Sequence, residues 1–137
     1  MTGATRNQRI LCIEDDPEMI DLMRLILERR GYMVVGADGG EAGLKAVRET
    51  PPDLILLDLM MPDMDGWDVH QRLKADAATR HIPIIIVTAS AQSLDKEFGL
   101  HIAKVEDYIV KPFSPQDLLS RVDRLLGGEE DRAAEPP

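Results

Sequence analysis

The chain has 137 residues, which is the size of one domain that can bury a core of its own. Its 25 Asp and Glu residues outnumber its 16 Lys and Arg residues, so the formal net charge is −9. A charge of this sign repels phosphate backbones and anionic lipids, and we therefore expect no direct binding to nucleic acid and no membrane binding.

Short apolar runs alternate with helical patterns along the chain, which is typical of parallel strands joined by crossover helices. The apolar runs predict five strands, at residues 10–13, 32–35, 54–57, within 82–89 and at 108–111. The helical patterns predict five helices, at residues 17–30, 41–49, 67 to about 77, 91–103 and from 115 to the glycine pair at 127–128. We expect an α/β fold with a doubly wound parallel sheet and helices on both faces.

Individual residues mark the ends of these helices. Gly31 follows the first helix in a position that tolerates a left-handed conformation. Ser114 and Pro115 have the residue types that favour the N-cap and first turn of the last helix. Residues 9–126 are predicted to form the single domain, between a flexible N-terminus at 1–8 and a disordered acidic tail at 127–137.

The single cysteine, Cys12, lies in an apolar run and is predicted to be a small buried hydrophobe. The N-terminal residues contain no apolar signal core, and no apolar run reaches the length of a membrane span. The predicted compartment is therefore the cytoplasm, where thiols stay reduced.

Acidic residues follow the carboxyl ends of two predicted strands. Asp58 comes directly after the third strand, and Glu14, Asp15 and Asp16 follow the first. Ligands of open parallel sheets collect at this edge, close to the point where the strand order reverses. If the two strands are neighbours about 4.8 Å apart, Asp15 or Asp16 must lie close enough to Asp58 for their charges to repel.

This repulsion must be compensated, because two like charges about 4 Å apart cost about 4 kcal/mol at an effective dielectric near 20. A retained proton, a divalent ion that bridges the acids and a nearby cation are the three available compensations. Carboxylate oxygens without Cys or paired His suit Mg²⁺, and Lys111, at the end of the fifth strand, supplies a cation. With the hydroxyl of Thr88 nearby, Asp58 is equipped to attack a phosphoryl group as a nucleophile.

Four motifs, "EDDP", "LLDLMMPDMDG", "VTA" and "YIVKPF", occur in this order on the predicted strand ends. Together they resemble a response-regulator receiver domain of two-component signalling over about residues 9–126. The resemblance implies a flavodoxin-like sheet of five parallel strands in the order 2-1-3-4-5. It also implies that Asp58 is the phosphoacceptor and that Mg²⁺ is held by Asp15, Asp16, Asp58 and the backbone carbonyl of Met60, with Asp16 in direct contact.

The resemblance further implies a switch. Thr88 would bond a phosphoryl oxygen, Lys111 would pair with it across a cis Lys111–Pro112 bond, and Tyr108 would move between exposed and buried rotamers. The implied partners are a sensor histidine kinase or a histidine phosphotransfer protein, a downstream protein target and a second copy of this chain in a weak homodimer. Enzymatic activity would be limited to self-phosphorylation and self-dephosphorylation.

Other interpretations of single residues stay open. Asp16 precedes Pro17 and suits the N-cap of the first helix, a role that can coexist with metal binding, whereas Glu14 is expected to be peripheral. Asp63 and Asp65 are predicted to shape the loop after Asp58, with Gly66 in a backbone conformation closed to other residues.

Two other classes of function remain. The first is a Mg²⁺-dependent phosphatase with an aspartyl nucleophile, similar to the haloacid dehalogenase family. Such enzymes need a second Asp as general acid two positions after the nucleophile, where this chain has Met60. A receiver-like interaction module that is never phosphorylated is the other alternative.

One segment departs from the receiver pattern. Lys104 and Val105 stand where receivers commonly carry a Gly-Ala pair, and the span from Thr88 to Lys111 is about one residue longer than usual. Gly99 also interrupts the apolar stripe of the helix predicted at 91–103. We therefore expect this helix to be shortened or partly irregular.

Overall fold

The computed structural model describes residues 8–89 and 105–127. The strands are β1 (Arg9–Ile13), β2 (Met33–Ala37), β3 (Leu54–Asp58), β4 (Ile84–Thr88) and β5 (Asp107–Val110). The helices described are α1 (Pro17–Glu28), α2 (Gly40–Glu49), α3 (Gly66–Ala75) and α4 (Pro115–Leu126). The helix predicted at 91–103, the N-terminal residues 1–7 and most of the predicted tail lie outside the described residues.

The five strands form one parallel sheet in the order β2-β1-β3-β4-β5, which confirms the predicted topology. Ile13 pairs with Leu57, Asp58 with Val87, and Thr88 with Val110. Because this register aligns the carboxyl ends of neighbouring strands, the residues that follow β1, β3, β4 and β5 emerge at one edge of the sheet.

Each face of the sheet carries its own apolar layer. Successive side chains of a strand point to opposite faces, so Ile10 and Cys12 of β1 pack on one face and Leu11 and Ile13 on the other. The first face is covered by α1 and α4, and the second by α2 and α3. Cys12 is fully buried, as predicted, and burial raises the pKa of its thiol to about 12.

Helix boundaries follow from the capping residues. Asp16 caps α1, since its carboxylate accepts a hydrogen bond of 3.0 Å from the backbone nitrogen of Glu18. Ser114 caps α4 in the same way, through the backbone nitrogen of Asp117 at 3.0 Å. Gly31 has a φ of 103°, which confirms the left-handed conformation predicted after the first helix.

Several boundaries differ from the predicted ones by one or two residues. Strand β2 begins at Met33 rather than at residue 32, because the backbone nitrogen of Tyr32 still bonds the carbonyl of Leu27 in α1. Strand β5 ends at Val110, so Lys111 lies just beyond the strand. None of the helices within residues 8–89 and 105–127 combines the length and apolar character that a membrane span needs.

Candidate functional site

Three carboxylates converge at the carboxyl edge of the sheet. Glu14 and Asp15 follow β1, Asp58 ends the neighbouring β3, and one oxygen from each lies within 4.8 Å of the others. Glu14 is only 2% exposed and Asp58 only 4%, while Asp15 is half-buried. Like charges at such separations repel by several kcal/mol when water is largely excluded, so the group requires a retained proton or positive charge nearby.

Lys111 supplies one such charge. Its Nζ lies 3.0 Å from Oε1 of Glu14 and 3.9 Å from Oδ2 of Asp58. Its backbone nitrogen donates to the carbonyl of Thr88 at 2.7 Å, which holds the residue at the end of β4. Burial raises the pKa of Glu14 to about 7, the hydrogen bond from Lys111 opposes this rise, and the charge of Asp58 adds to it. One lysine therefore compensates the three acids only in part.

The loop after β3 returns to the carboxylate of Asp58. The backbone nitrogen of Met60 donates to Oδ1 of Asp58 at 3.2 Å, while the side chain of Met60 is 59% exposed. The backbone of Met60 thus lies beside the acidic group, and its side chain points to the surface. The ligand role of its carbonyl stays a prediction.

The structure does not bring Asp16 into the acidic group. Asp16 is exposed, and its carboxylate is engaged as the N-cap of α1, directly before Pro17 at the first helical position. The predicted pair of Asp15 and Asp16 therefore does not fit the geometry, and the prediction that Glu14 is peripheral is wrong. The pair that faces Asp58 is Glu14 and Asp15. The Asp-Pro dipeptide, typical of a helix start, is the sequence signal that separates Asp16 from the other two acids.

The two predicted switch residues lie on the last two strands. Thr88 is fully buried at the end of β4, one residue beyond the pairing partner of Asp58. Tyr108 lies in β5 with 40% of its surface exposed. The Lys111–Pro112 bond is cis, as the receiver resemblance implies. The switching roles of Thr88 and Tyr108 stay predictions.

Gly66 closes the loop for a different reason from the one predicted. Positive φ values among the described residues occur at Gly31 and Gly39, and Gly66 does not share that conformation. A Cβ at position 66 would instead lie 2.4 Å from the carbonyl oxygen of Asp58 and 2.5 Å from Cα of Leu59. Only glycine therefore lets α3 start this close to the end of β3.

The donor chemistry of the group fits Mg²⁺. The candidate ligands are carboxylate oxygens from Glu14, Asp15 and Asp58, with the carbonyl oxygen of Met60 as a further donor. Mg²⁺ prefers oxygen ligands and uses few carboxylates, keeping several waters. An ion held here would complete the compensation that Lys111 begins.

The chain matches the response regulator receiver domain family over residues 10–123. It therefore belongs to that family, whose members are signalling domains rather than conventional enzymes. Solved structures agree with this assignment. A CheY-like response regulator receiver domain protein from Methanospirillum hungatei has a TM-score of 0.80 and 31% identity, covering 92% of this chain and 98% of that one.

A second solved structure is that of the response regulator TrrA from Thermotoga maritima in complex with Mg²⁺ and beryllofluoride. It has a TM-score of 0.78 and 29% identity, and the match covers 87% of this chain and 99% of that one. A third is the receiver domain of a sensor histidine kinase from Pseudomonas aeruginosa, with magnesium coordinated in its active-site cleft. Its TM-score is 0.80 at 31% identity, and it covers 88% of this chain and 98% of that one.

Curated relatives are longer than the matched region. The DNA-binding response regulator MtrA of Mycolicibacterium smegmatis is 40% identical over 131 residues, which cover 96% of this chain and 56% of the relative. The DNA-binding dual master transcriptional regulator RpaA of Synechocystis is 44% identical over 118 residues, covering 86% of this chain and 48% of the relative. The chain spans about half the length of the curated relatives it matches.

These relatives contradict the prediction, made from the net charge, that the protein does not bind nucleic acid directly. Both MtrA and RpaA are named as DNA-binding proteins, although the region they share with this chain is the receiver. The charge of −9 belongs to the 137 residues alone. Repulsion between these residues and phosphate says nothing about DNA contacts made by other parts of a longer regulator.

Proposed function

We propose that this chain is a phosphorylation-switched receiver of a two-component phosphorelay, in which Asp58 accepts a phosphoryl group from a phosphohistidine. The donor would be a sensor histidine kinase or a histidine phosphotransfer protein, in the cytoplasm. The observation that carries the proposal is the convergence of three carboxylates within 4.8 Å and of Lys111 at 3.0 Å from one of them. Membership of the receiver family supports it.

The chemistry assigned to Asp58 is nucleophilic attack. A carboxylate oxygen of Asp58 forms a bond to phosphorus, and the phosphorus–nitrogen bond of the donor breaks. The electron pair of that bond passes to the imidazole nitrogen of the donor, which takes up a proton. Bound Mg²⁺, held by Glu14, Asp15, Asp58 and the Met60 carbonyl, would neutralise negative charge on the phosphoryl oxygens.

Lys111 would stabilise the same charge from the other side. Its ammonium already lies 3.9 Å from Oδ2 of Asp58, so a short rearrangement away from Glu14 would pair it with a phosphoryl oxygen. Buried Thr88 would then be drawn toward the phosphoryl group, and exposed Tyr108 would turn inward. If the active arrangement is a minor state, a preference of about 5.5 kcal/mol would invert a 1:99 population, and a smaller preference would give a graded response.

The relatives suggest what such a switch controls. Regulators named as DNA-binding share the receiver with this chain, so we propose that its phosphorylation controls a transcriptional output. That output would be carried by a further part of a longer regulator or by a separate protein target. Proteins and DNA fragments captured from cell extract by the receiver, with and without beryllofluoride, would differ if this holds.

Substitution of the acceptor tests the proposal. Asp58→Asn is expected to abolish incorporation of labelled phosphate from a phosphohistidine donor in the presence of Mg²⁺, because an amide is not a competent nucleophile. Asp53→Asn is the control, since Asp53 is an exposed carboxylate at the opposite end of β3 that bonds the backbone nitrogen of Arg9 at 2.8 Å. The control variant should be labelled at the wild-type rate.

Three results would contradict the proposal. Unchanged labelling of Asp58→Asn would overturn the acceptor assignment. Failure of the wild-type chain to take up phosphate or beryllofluoride with Mg²⁺ would favour an interaction module that is never phosphorylated. Sustained turnover of a small phosphomonoester would favour a phosphatase.

A further inference from the structure

Asp63 joins two elements that are distant in the chain. Its carboxylate accepts hydrogen bonds from the backbone nitrogens of Gly40, at 3.1 Å, and Glu41, at 3.2 Å. These residues begin α2, whose N-cap residue Gly39 makes no side-chain cap. Asp63 therefore supplies, from the loop between β3 and α3, the acceptor that a Ser or Asp at the N-cap would otherwise provide.

The contact is close as well as polar. A Cβ added to Gly39 would lie 2.9 Å from a carboxylate oxygen of Asp63, and one added to Gly40 would lie 2.8 Å from Cβ of Met64. The start of α2 and the loop thus approach each other more closely than ordinary side chains allow. The bonds from Gly40 and Glu41 hold the pKa of Asp63 below its usual value, and its negative charge complements the helix N-terminus.

The two segments that Asp63 joins, the start of α2 and the loop after β3, are each connected by a hydrogen bond to a different acid of the group. Just before α2, the carbonyl of Ala37 accepts a hydrogen bond of 3.0 Å from the backbone nitrogen of Glu14. In the loop, the backbone nitrogen of Met60 bonds Oδ1 of Asp58 at 3.2 Å. Asp63 lies between these two connections. Its bonds to α2 therefore complete a continuous path from the acids after β1 to the acid at the end of β3.

We propose that Asp63 is a positioning residue for the phosphoryl-acceptor site, because its bonds to α2 fix the loop that carries Met60 beside Asp58. The inference rests on the proposed function. Asp63 does not touch the phosphoryl group in this proposal. Its removal should therefore weaken Mg²⁺ binding, which depends on the spacing of the ligand oxygens.

The test measures Mg²⁺ affinity of the full chain by titration calorimetry. Asp63→Ala is expected to bind Mg²⁺ about threefold to tenfold more weakly, which is at or below the smallest effect of about tenfold for partners bonded directly to metal ligands. In EDTA, amide exchange at Gly40 and Glu41 should be faster than in the wild type. Asp76→Ala is the matched control, because Asp76 is another exposed loop carboxylate, bonded to the backbone nitrogen of Ala78 at 2.9 Å near the far end of α3. It should bind Mg²⁺ as the wild type does.

Asp63→Asn separates positioning from loss of the fold. The amide retains one acceptor oxygen, so its Mg²⁺ affinity should lie between those of the wild type and Asp63→Ala. Wild-type affinity in Asp63→Ala, or in Asp63→Asn if the alanine variant does not fold, would overturn the inference. An equal loss in Asp76→Ala would overturn it as well. Failure of the proposed function would look different, since the wild-type chain itself would then take up neither phosphate nor beryllofluoride in the presence of Mg²⁺, whatever the Mg²⁺ affinities of the Asp63 variants.

Discussion

Glu14 and Asp16 lie two positions apart and have the same chemistry, yet they serve different parts of the molecule. Glu14 is 2% exposed and bonds Nζ of Lys111 at 3.0 Å. Asp16 is exposed and accepts a hydrogen bond from the backbone nitrogen of Glu18 at the start of α1. The direction in which each side chain leaves the backbone, rather than its acidity, therefore decides which of them can reach a metal ion beside Asp58.

This difference predicts a ranking of two variants. Glu14→Gln is expected to weaken Mg²⁺ binding by about tenfold or more, since a divalent ion loses a charged ligand in a largely buried site. Asp16→Asn should bind Mg²⁺ nearly as the wild type does, because asparagine also serves as an N-cap. Titration calorimetry at one pH and ionic strength would check this. The reverse ranking would restore Asp16 to the ligand set.

Much of the site could be predicted from the sequence. Asp58, Thr88 and Lys111 each stand at the end of an apolar run, and parallel strands bring such positions to one edge. The order of importance among three successive acids could not be predicted, because a residue pattern does not show side-chain direction beyond the end of a strand. The role of Asp63 was equally inaccessible, since its bonds to α2 join residues 22 and 23 positions apart.

At the scale of elements, the junction between β3 and α3 depends on a close approach of backbones. The backbone nitrogen of Gly66 donates to the carbonyl of Leu59 at 2.9 Å, which turns the chain directly behind Asp58. A Cβ on Gly66 would meet backbone atoms, and backbone atoms cannot rotate away as a side chain can. The position of α3 and the conformation of the acceptor residue are therefore linked through this glycine.

Gly66→Ala is accordingly expected to lower the free energy of unfolding by about 1–3 kcal/mol, the usual range for overpacking in a core. Gly127→Ala is the control, because nothing lies within 4 Å of a Cβ built there and its φ is −134°. The control should change stability by less than about 0.5 kcal/mol. Urea unfolding of both variants would measure the difference. Equal effects would show that the contact at Gly66 is relieved without cost.

The identity of the elements could be predicted better than their ends. Short continuous apolar runs between the helical patterns identified all five strands of the sheet, because a strand that is buried on both faces requires such a run. The pattern misplaced the start of β2, since Tyr32 is buried like a strand residue while its backbone still bonds α1. Apolar patterns report burial, whereas the end of an element is set by backbone hydrogen bonds.

At the scale of the whole molecule, the cluster of carboxylates that suits the site for Mg²⁺ lowers the stability of the fold. Three carboxylates meet at the edge of the sheet, two of them almost completely buried, and Lys111 pairs with those two. Without a metal ion, their mutual repulsion opposes folding, because the unfolded chain separates them in water. Asp58 can lose its charge without leaving Lys111 unpaired, since the lysine keeps its 3.0 Å contact with Glu14.

Asp58→Asn is therefore expected to stabilise the protein in EDTA, by about 1 kcal/mol in the free energy of unfolding. Mg²⁺ at 100 times the dissociation constant of the wild type should stabilise the wild type by about 2.7 kcal/mol. The same Mg²⁺ concentration should stabilise the variant less, because the variant lacks one charged ligand. Urea unfolding with and without Mg²⁺ gives all four values, and Asp53→Asn controls for the loss of an exposed acid. A loss of stability for Asp58→Asn in EDTA would show that the carboxylate contributes more through its hydrogen bond from Met60 and its ion pair with Lys111 than it costs through repulsion.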